Sequence, residues 1–550
     1  MEQRFMQNQS KNNIVPLLFM VFALFFLFLL FNQGVNRYDE GIFVYGAEKI
    51  LDGDIPYKDF WAIYFPAQFY TLAALFKLFG PTMIAARICS TLIRYILVIM
   101  TYVLARKFVS QKYALIASFL LLIWLGSYQF YENPMLPALV FSLASFLAFL
   151  RFIRMRHRRW LFVCGVLVGV TTLYRQDMGA YTFLSTILVA IPFVFVNETS
   201  KDDLFFKKIY TVSKYGSSFI LGTIVILFPV VLYFLLTVPA DDLIYDFITF
   251  PLKIYPSFRA LPFPAPIPNP ALLLSGSLDF IPYVKASLRQ LPLYSPVLIY
   301  FTAIFIFMVG IRKKTFDWKK KNTWALLFIL LLGLLSLNYV RVRTHTSHLM
   351  GTFIPSILLF VFLLSLIPKS GKIRPVLWLG AFLLGFSFVG FSIGKTAILF
   401  HERLFSQNKR FYTIERAKGL YETKDRFPGY QSAVELIQKN VPADEKIFVG
   451  NTRHDRIVLN DILFYFLSDR HSATKYYDLH PGIATTVEIQ EKIIADIEHH
   501  RVNYIVLVDQ SWIKRWENDR VGSRLLDNFI HLNFTQERQC GNYSVWKRNR

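Results

Sequence analysis

The chain is poor in cysteine and acidic residues, and it lacks a leader cleavage pattern and a phosphate loop. Each gap removes a class of protein. Only Cys89, Cys164 and Cys540 occur in 550 residues. They lie far apart and two sit in apolar blocks, so neither a disulfide framework nor a cysteine metal site is supported. The first apolar block, 14–31, continues as Phe31-Asn32-Gln33-Gly34-Val35-Asn36-Arg37. A small-residue cleavage site is missing there, so the block reads as a retained first span and not as a secretory leader. No glycine-rich phosphate fingerprint follows the strands expected near the C-terminus. Acidic residues number 37 against 60 lysines and arginines, a net charge of +23. Such a surplus suggests nucleic acid, but the cations cluster in short segments between apolar blocks. That placement is the signature of membrane topology, and no nucleic-acid partner is expected.

What the chain has in abundance is apolar surface. It is 54% hydrophobic, with 55 Phe and 29 Tyr, against about 45–50% apolar residues in globular proteins. Long apolar blocks run to about residue 395, after which the composition becomes ordinary and polar. A membrane span needs roughly 20 apolar residues. Candidate spans are 14–31, 84–105, 113–130, 134–150, 160–174, 179–197, 216–237, 294–311, 323–340, 349–367 and 375–394. The expected fold is therefore a mainly α-helical polytopic membrane protein with about eleven transmembrane helices (residues 1–395) and a small extracytoplasmic C-terminal α/β domain (396–550).

Loop charge sets the orientation. With the N-terminus cytoplasmic, Arg151, Arg154, Arg156, Arg158 and Arg159 fall inside, as do Arg312, Lys313, Lys314, Lys319, Lys320 and Lys321, and Lys369, Lys372 and Arg374. The acidic first loop, within 32–83, falls outside. The block Phe65–Phe79 carries Gln68 and Lys77. Counted as a span it would invert every later loop, so it reads as a helix in the outer interface. The odd number of spans leaves the tail outside. A long outer loop, 238–293, has prolines at 262, 264, 266, 268 and 270 and reads as a linker or as a lid that shapes a substrate site. In the tail, 430–440 and 487–500 read as helices, and 446–450 and 504–508 as strands. His454, His471, His480 and the His499-His500 pair lack metal-ligand spacing.

Four polar clusters gather at outer span ends. Asp39-Glu40 follows span 1, where a carboxylate can accept a proton or simply favour a helix N-terminus. Tyr131-Glu132-Asn133-Pro134 either joins such a site or caps span 4. Arg175-Gln176-Asp177 interrupts an apolar stretch. Charge there is a functional suspect, and the planar fork of Arg175 suits a phosphate oxyanion. The bland alternatives are an internal Arg175–Asp177 pair or snorkelling to headgroups. Arg341-Val342-Arg343-Thr344-His345-Thr346-Ser347-His348 is an outer cationic cluster that an anionic substrate would explain. In an extended segment Arg341 and Arg343 would share a face.

The first outer loop carries Arg37-Tyr38-Asp39-Glu40, Tyr45-Gly46-Ala47 and Gly53-Asp54-Ile55-Pro56-Tyr57-Lys58-Asp59. Pro66-Ala67-Gln68-Phe69-Tyr70, Leu78-Phe79-Gly80, Ala86-Arg87 and the His348 to Pro355 segment continue the pattern. At these positions the chain resembles glycosyltransferase family 39 of the GT-C superfamily, whose members include protein O-mannosyltransferases and lipid A aminoarabinose transferases. The resemblance implies sugar transfer from a polyprenyl-phosphate donor to an acceptor hydroxyl at the outer membrane face. The implied catalytic carboxylate is Asp39, supported by Glu40. The second-loop acidic position falls at Glu132 or Asn133, with Asn beside the Pro where the aminoarabinose relatives place Asp. Arg175 stands where the family often has Lys, and Arg341, Arg343, His348 and Lys58 complete the set of candidate donor-phosphate contacts. The implied reaction is an inverting displacement. The implied partners are the lipid-linked donor, a protein, lipid or polysaccharide acceptor, and membrane lipids. No cofactor or metal motif is evident, although carboxylates could recruit a divalent ion. The competing classes are a transporter or flippase, which would place polar groups in mid-span, and a non-catalytic scaffold, which leaves the outer clusters unexplained.

Overall fold

The computed structural model describes residues 14–550 except 129, 200–203, 278, 314–320, 424–428, 457–458 and 510–520. Of the expected cytoplasmic cations, Lys314, Lys319 and Lys320 lie outside the described residues. The helices of the first part are α1 (Ile14–Leu30), α2 (Asp39–Leu51), α3 (Ala67–Phe79), α4 (Met83–Ala105), α5 (Gln111–Gly126), α6 (Met135–Met155), α7 (Arg159–Tyr174), α8 (Gln176–Asn197) and α9 (Phe205–Thr237). Then come α10 (Ala240–Ile244), a π-helical stretch (Tyr245–Ile254), α11 (Tyr255–Arg259), α12 (Ala271–Leu274), α13 (Phe280–Arg312), α14 (Lys321–Val342), α15 (Met350–Ser365) and α16 (Arg374–Phe405).

Among the described residues, eight helices are long and apolar enough to cross a membrane. Three shorter apolar helices, α1, α5 and α7, coincide with the remaining expected spans, and α3 is the fourth short one. α9, α13 and α16 run 32 or 33 residues, well past the apolar windows read from sequence. Polar ends such as Lys207-Lys208 and Lys285-Arg289 keep helical backbone bonds, because hydropathy marks a hydrocarbon limit and not a helix limit. Large side chains on these helices, among them Phe228, Leu236, Phe301, Phe305 and Phe382, face outward. An apolar exterior of this extent fits a lipid surround.

Helix contacts rely on small residues. Gly165 and Gly169 lie one turn apart on α7 and pack against Phe219, Thr223 and Ile226 of α9, while Gly222 of α9 packs against Phe162 and Val166 of α7. A methyl group at Gly165 would overlap the Phe219 carbonyl oxygen, and one at Gly222 that of Phe162. Close backbone approach of this kind lets helices pack where no hydrophobic force separates them from lipid.

The tail begins with a hairpin, β1 (Lys409–Phe411) and β2 (Tyr421–Thr423). It continues through α17 (Tyr430–Asn440), β3 (Phe448–Asn451), α18 (Leu463–Ser468), α19 (Val487–His499), β4 (Tyr504–Val508), α20 (Leu525–Asn533), β5 (Phe534–Cys540) and β6 (Tyr543–Arg548). The sheet order is β3-β4-β6-β5, with β3 and β4 parallel and the other pairs antiparallel. Successive β4 side chains alternate between two cores. Tyr504, Val506 and Val508 join a core that continues into α2 and α3. Ile505 and Leu507 join one formed with α19, α20, Trp61 and Phe250. The tail therefore shares its interior with the first loop.

Polar contacts reinforce that seat. Leu463 N–H donates to the Arg37 carbonyl at 2.9 Å, and Ser472 N–H to the Tyr45 hydroxyl at 2.7 Å. Arg37 lies over the Tyr430 ring, 4.5 Å from its centroid, and bonds to the Tyr543 hydroxyl, which donates to Asp461 at 2.6 Å. A Cβ at Gly41 would strike the Leu463 backbone nitrogen. Gly41→Ala should thus unseat the tail from α2 at a cost of about 1–3 kcal/mol or more. The expected outcome is faster proteolysis within 406–550 of purified protein, with the bundle intact.

Candidate functional site

A cavity of about 240 Å³ lies where the bundle, the first loop and the tail meet. Its walls come from distant parts of the chain. Tyr38 and Asp39 enter α2, and Tyr64 precedes α3. Tyr131 and Asn133 precede α6, and Arg175 breaks α7 from α8. Tyr255 and Arg259 belong to α11, Tyr339 lies in the last turn of α14 with Arg343 just beyond it, and His345, His348, Leu459 and His480 are also in the wall.

Asp39 occupies the first turn of α2 and is half-buried. Asn36 clamps it reciprocally: its Nδ2 donates to Asp39 Oδ2 at 3.0 Å, and its Oδ1 accepts the Asp39 N–H at 2.9 Å. Among the described residues Asp39 Oδ1 makes no hydrogen bond. Burial raises the Asp39 carboxyl above the usual range, while the bond from Asn36 and the charges of Arg259 and Arg343 pull it back down.

Arg175 lies over Tyr339 at 4.9 Å and Tyr64 at 5.6 Å from their ring centroids. Its Nε and Nη2 fork onto Asp177 at 3.0 and 2.6 Å. The internal pair and the cavity position therefore coexist. Arg343 is tied to the long loop by a bridge to Leu261 and by a bond from the Thr344 hydroxyl to the Leu261 carbonyl at 3.2 Å. That tie brings Arg259 and Arg343 to one cavity.

Of the remaining expected residues, Asn133 and His348 share this cavity and the others lie elsewhere. Glu40 is fully buried against Arg87, one turn or less from Asp39 but outside the cavity. Glu132 is also buried, and neither carboxyl oxygen finds a partner among the described residues. Burial and the nearby Glu40 push its carboxyl well above the usual range, with Arg87 opposing. Asn133 lines the cavity, but its Oδ1 caps α6 at Met135 N–H, 2.9 Å away. Arg341 and Arg343 do not alternate in an extended segment. Helix α14 continues through Val342, leaving Arg341 exposed with its Nε on Asn338 at 3.1 Å. Lys58 is exposed and absent from the cavity wall.

Sequence reasoning read the long loop as a linker or a substrate-shaping lid but named no site residue in it, and it missed the contribution of the tail to the cavity. Arg259, buried in a Pro-rich segment, donates its Nε to His480 Nε2 at 3.4 Å. His480 Nδ1 donates to the Pro481 carbonyl at 2.8 Å. Burial and then the charge of Arg259 hold this imidazole well below its usual range, so it remains neutral. Asp478 is buried close to Tyr38 and Arg259, its Oδ1 has no hydrogen-bond partner among the described residues, and burial raises its carboxyl to about 7. No local motif marks these residues, since their approach to Asp39 depends on how the tail docks. Among the described residues, no group of three or more His, Cys, Asp or Glu could hold a metal ion.

Comparisons with known proteins agree with the resemblance read from sequence. The family model described as dolichyl-phosphate-mannose-protein mannosyltransferase matches residues 65–233, a segment holding Glu132, Asn133 and Arg175 but not Asp39. ArnT from Cupriavidus metallidurans, in a structure bound to undecaprenyl phosphate, has a similar fold. The match has TM-score 0.51 and 14% identity, and covers 96% of this chain and 97% of that one. The Archaeoglobus fulgidus oligosaccharyltransferase in its apo form is similar at TM-score 0.50 and 11% identity, covering 91% of this chain and 70% of that one. No curated protein matches the sequence. The chain thus resembles the mannosyltransferase and ArnT-like proteins of the GT-C superfamily in fold.

The Arg87–Glu40 pair has both side chains at 0% exposure. Removing one charge leaves the other uncompensated, so Glu40→Gln should cost about 3–5 kcal/mol, while the pair Glu40→Leu with Arg87→Met should recover most of it. Thermal unfolding in detergent checks both. Equal stability of Glu40→Gln and the wild type would contradict the clamp.

Proposed function

We propose that the chain is a glycosyltransferase that moves a sugar from a polyprenyl-phosphate donor to an acceptor hydroxyl at the extracytoplasmic membrane face. The observation that carries this reading is one cavity in which the carboxylate of Asp39 meets Arg175, Arg259 and Arg343. A base and a cluster of cations are the two requirements for displacing a phosphate from an anomeric carbon. The binding of undecaprenyl phosphate by the similarly folded ArnT supports the class of donor.

In this mechanism the acceptor oxygen attacks the anomeric carbon as the bond from that carbon to the phosphate oxygen breaks. Asp39 Oδ1 takes the acceptor proton, and inversion follows from the single displacement. The guanidinium groups stabilise the charge that grows on the leaving polyprenyl phosphate. Asp177 holds the Nε and Nη2 edge of Arg175, so the phosphate meets Nη1. Neutral His480 fixes Arg259 on the acceptor side, with Asp478 buried beside it. His348, against the Tyr339 ring at 4.8 Å, closes the phosphate side. Glu40 and Glu132 are structural in this account, and Lys58 and Arg341 lie too far out to take part.

The same reading takes the eight long helices with α1, α5 and α7 as eleven spans, α3 as an interfacial helix and the tail as a domain on the donor side. The opposite end of the bundle carries Arg151, Arg154, Arg158 and Arg159, as a cytoplasmic end should. The cavity residues lie at span ends and not in mid-span, which favours transfer over transport.

Purified protein incubated with polyprenyl-phosphate sugars and candidate acceptors, followed by mass spectrometry, should show the donor converted to free polyprenyl phosphate and a glycosylated product. Arg175→Ala should weaken donor binding by about tenfold or more, consistent with roughly 1.5–3 kcal/mol for a charge-assisted bond, and Arg175→Lys should recover part. Unchanged donor affinity in Arg175→Ala would remove this residue from the phosphate site.

A further inference from the structure

The opposite end of the bundle holds a second cavity, of about 660 Å³, that the transfer reaction does not use. It lies between the C-terminal ends of α4 and α6 and the N-terminal ends of α7 and α14. Its wall is apolar, with Leu147 and Leu167 among its lining. Its rim carries Lys107, Arg151 and Arg154, all exposed. Among the described residues none of these three cations is paired with a carboxylate, whereas the neighbouring Arg156 is bonded to Glu198 at 2.8 Å. Trp160 closes the cleft. Arg151 and Arg159 lie over its ring, 5.6 and 5.7 Å from the centroid. Its indole Nε1–H is buried and has no partner among the described residues.

An apolar slot, three rim cations and an unspent N–H donor ask for one kind of occupant. We propose that this cleft binds an anionic glycerophospholipid of the adjoining leaflet. Its phosphate sits among Lys107, Arg151 and Arg154, an oxygen of its headgroup or ester accepts the Trp160 N–H, and an acyl chain lies along the apolar wall. Basic pockets between transmembrane helices suit such headgroups. A zwitterionic lipid brings its own cation, which three clustered positive side chains repel. Bulk annular lipid needs no buried donor. The site is remote from Asp39, so it stands or falls independently of the transfer chemistry.

The test is a titration of the purified full-length protein in detergent with phosphatidylglycerol or phosphatidylcholine, read by native mass spectrometry. Phosphatidylglycerol should bind saturably and phosphatidylcholine should not. Each neutralising substitution, Lys107→Gln, Arg151→Gln or Arg154→Gln, should weaken phosphatidylglycerol binding by about fivefold, the equivalent of roughly 1 kcal/mol per cation. The triple variant should retain almost none, and the single variants carry the test if the triple fails to fold. Trp160→Phe, which keeps the aromatic stack and removes the donor, should weaken binding while thermal unfolding stays as in the wild type. Equal retention of the two lipids, unchanged binding in the variants, or displacement of phosphatidylglycerol by equimolar undecaprenyl phosphate would overturn the assignment.

Discussion

A buried guanidinium holds the candidate site in place. Arg87, on α4, has no exposed surface, and it spends its donors on one short stretch of chain. Its Nε and Nη2 grip the Glu40 carboxylate, while Nη1 and Nη2 reach the carbonyls of Phe31 and Gly34 at 2.9 and 2.8 Å. Burying two full charges is expensive, and a single pair rarely repays it unless further hydrogen bonds are satisfied. Here they are. The outcome is that the exit from α1 and the entry to α2 are fixed as a unit, and Asp39 takes its position from that unit. Asn36 then turns the carboxylate, and Asp39 is left with one oxygen to offer.

A second consequence concerns the tail. Arg37, two residues before Asp39, points away from the bundle and lies between the Tyr430 and Tyr543 rings. One turn of chain is therefore held from below by Arg87 and from above by the tail. The long loop completes the enclosure by joining Leu261 to Arg343 and Arg259 to His480. Two of the cations that face this carboxylate are held on their far side: Arg175 by Asp177 and two tyrosines, and Arg259 by its bond to a neutral imidazole.

Much of this arrangement was legible in the sequence. Hydropathy located the helices of the bundle, and the interruption at Arg175 and the acidic pair at 39–40 marked two walls of the cavity. Span lengths were underestimated where polar residues continue a helix, as in α9 and α16. What composition could not distinguish was Asp39 from Glu40, or Arg343 from Arg341. Each pair shares its chemistry, and only the helical phase decides which member faces inward. The α14 helix persists through Val342 and carries Arg341 away. Glu132 has the residue type of a catalytic acid, but its place beside Glu40 and Arg87 is set by tertiary packing. Asp478 and Arg259 left no trace and His480 was set aside for want of metal-ligand spacing, because their place at the cavity arises from contacts across more than two hundred residues of sequence.

The claim that everything else serves is that Asp39 removes the acceptor proton. Its most direct test is single-turnover transfer by purified Asp39→Asn, with donor binding measured on the same preparation. The substitution is nearly isosteric and keeps the Asn36 contact within reach, so the fold and the phosphate site should persist. Loss of a general base predicts transfer slowed by a factor on the order of 10² or more, with donor affinity unchanged. Transfer at the wild-type rate by the folded variant would contradict the account.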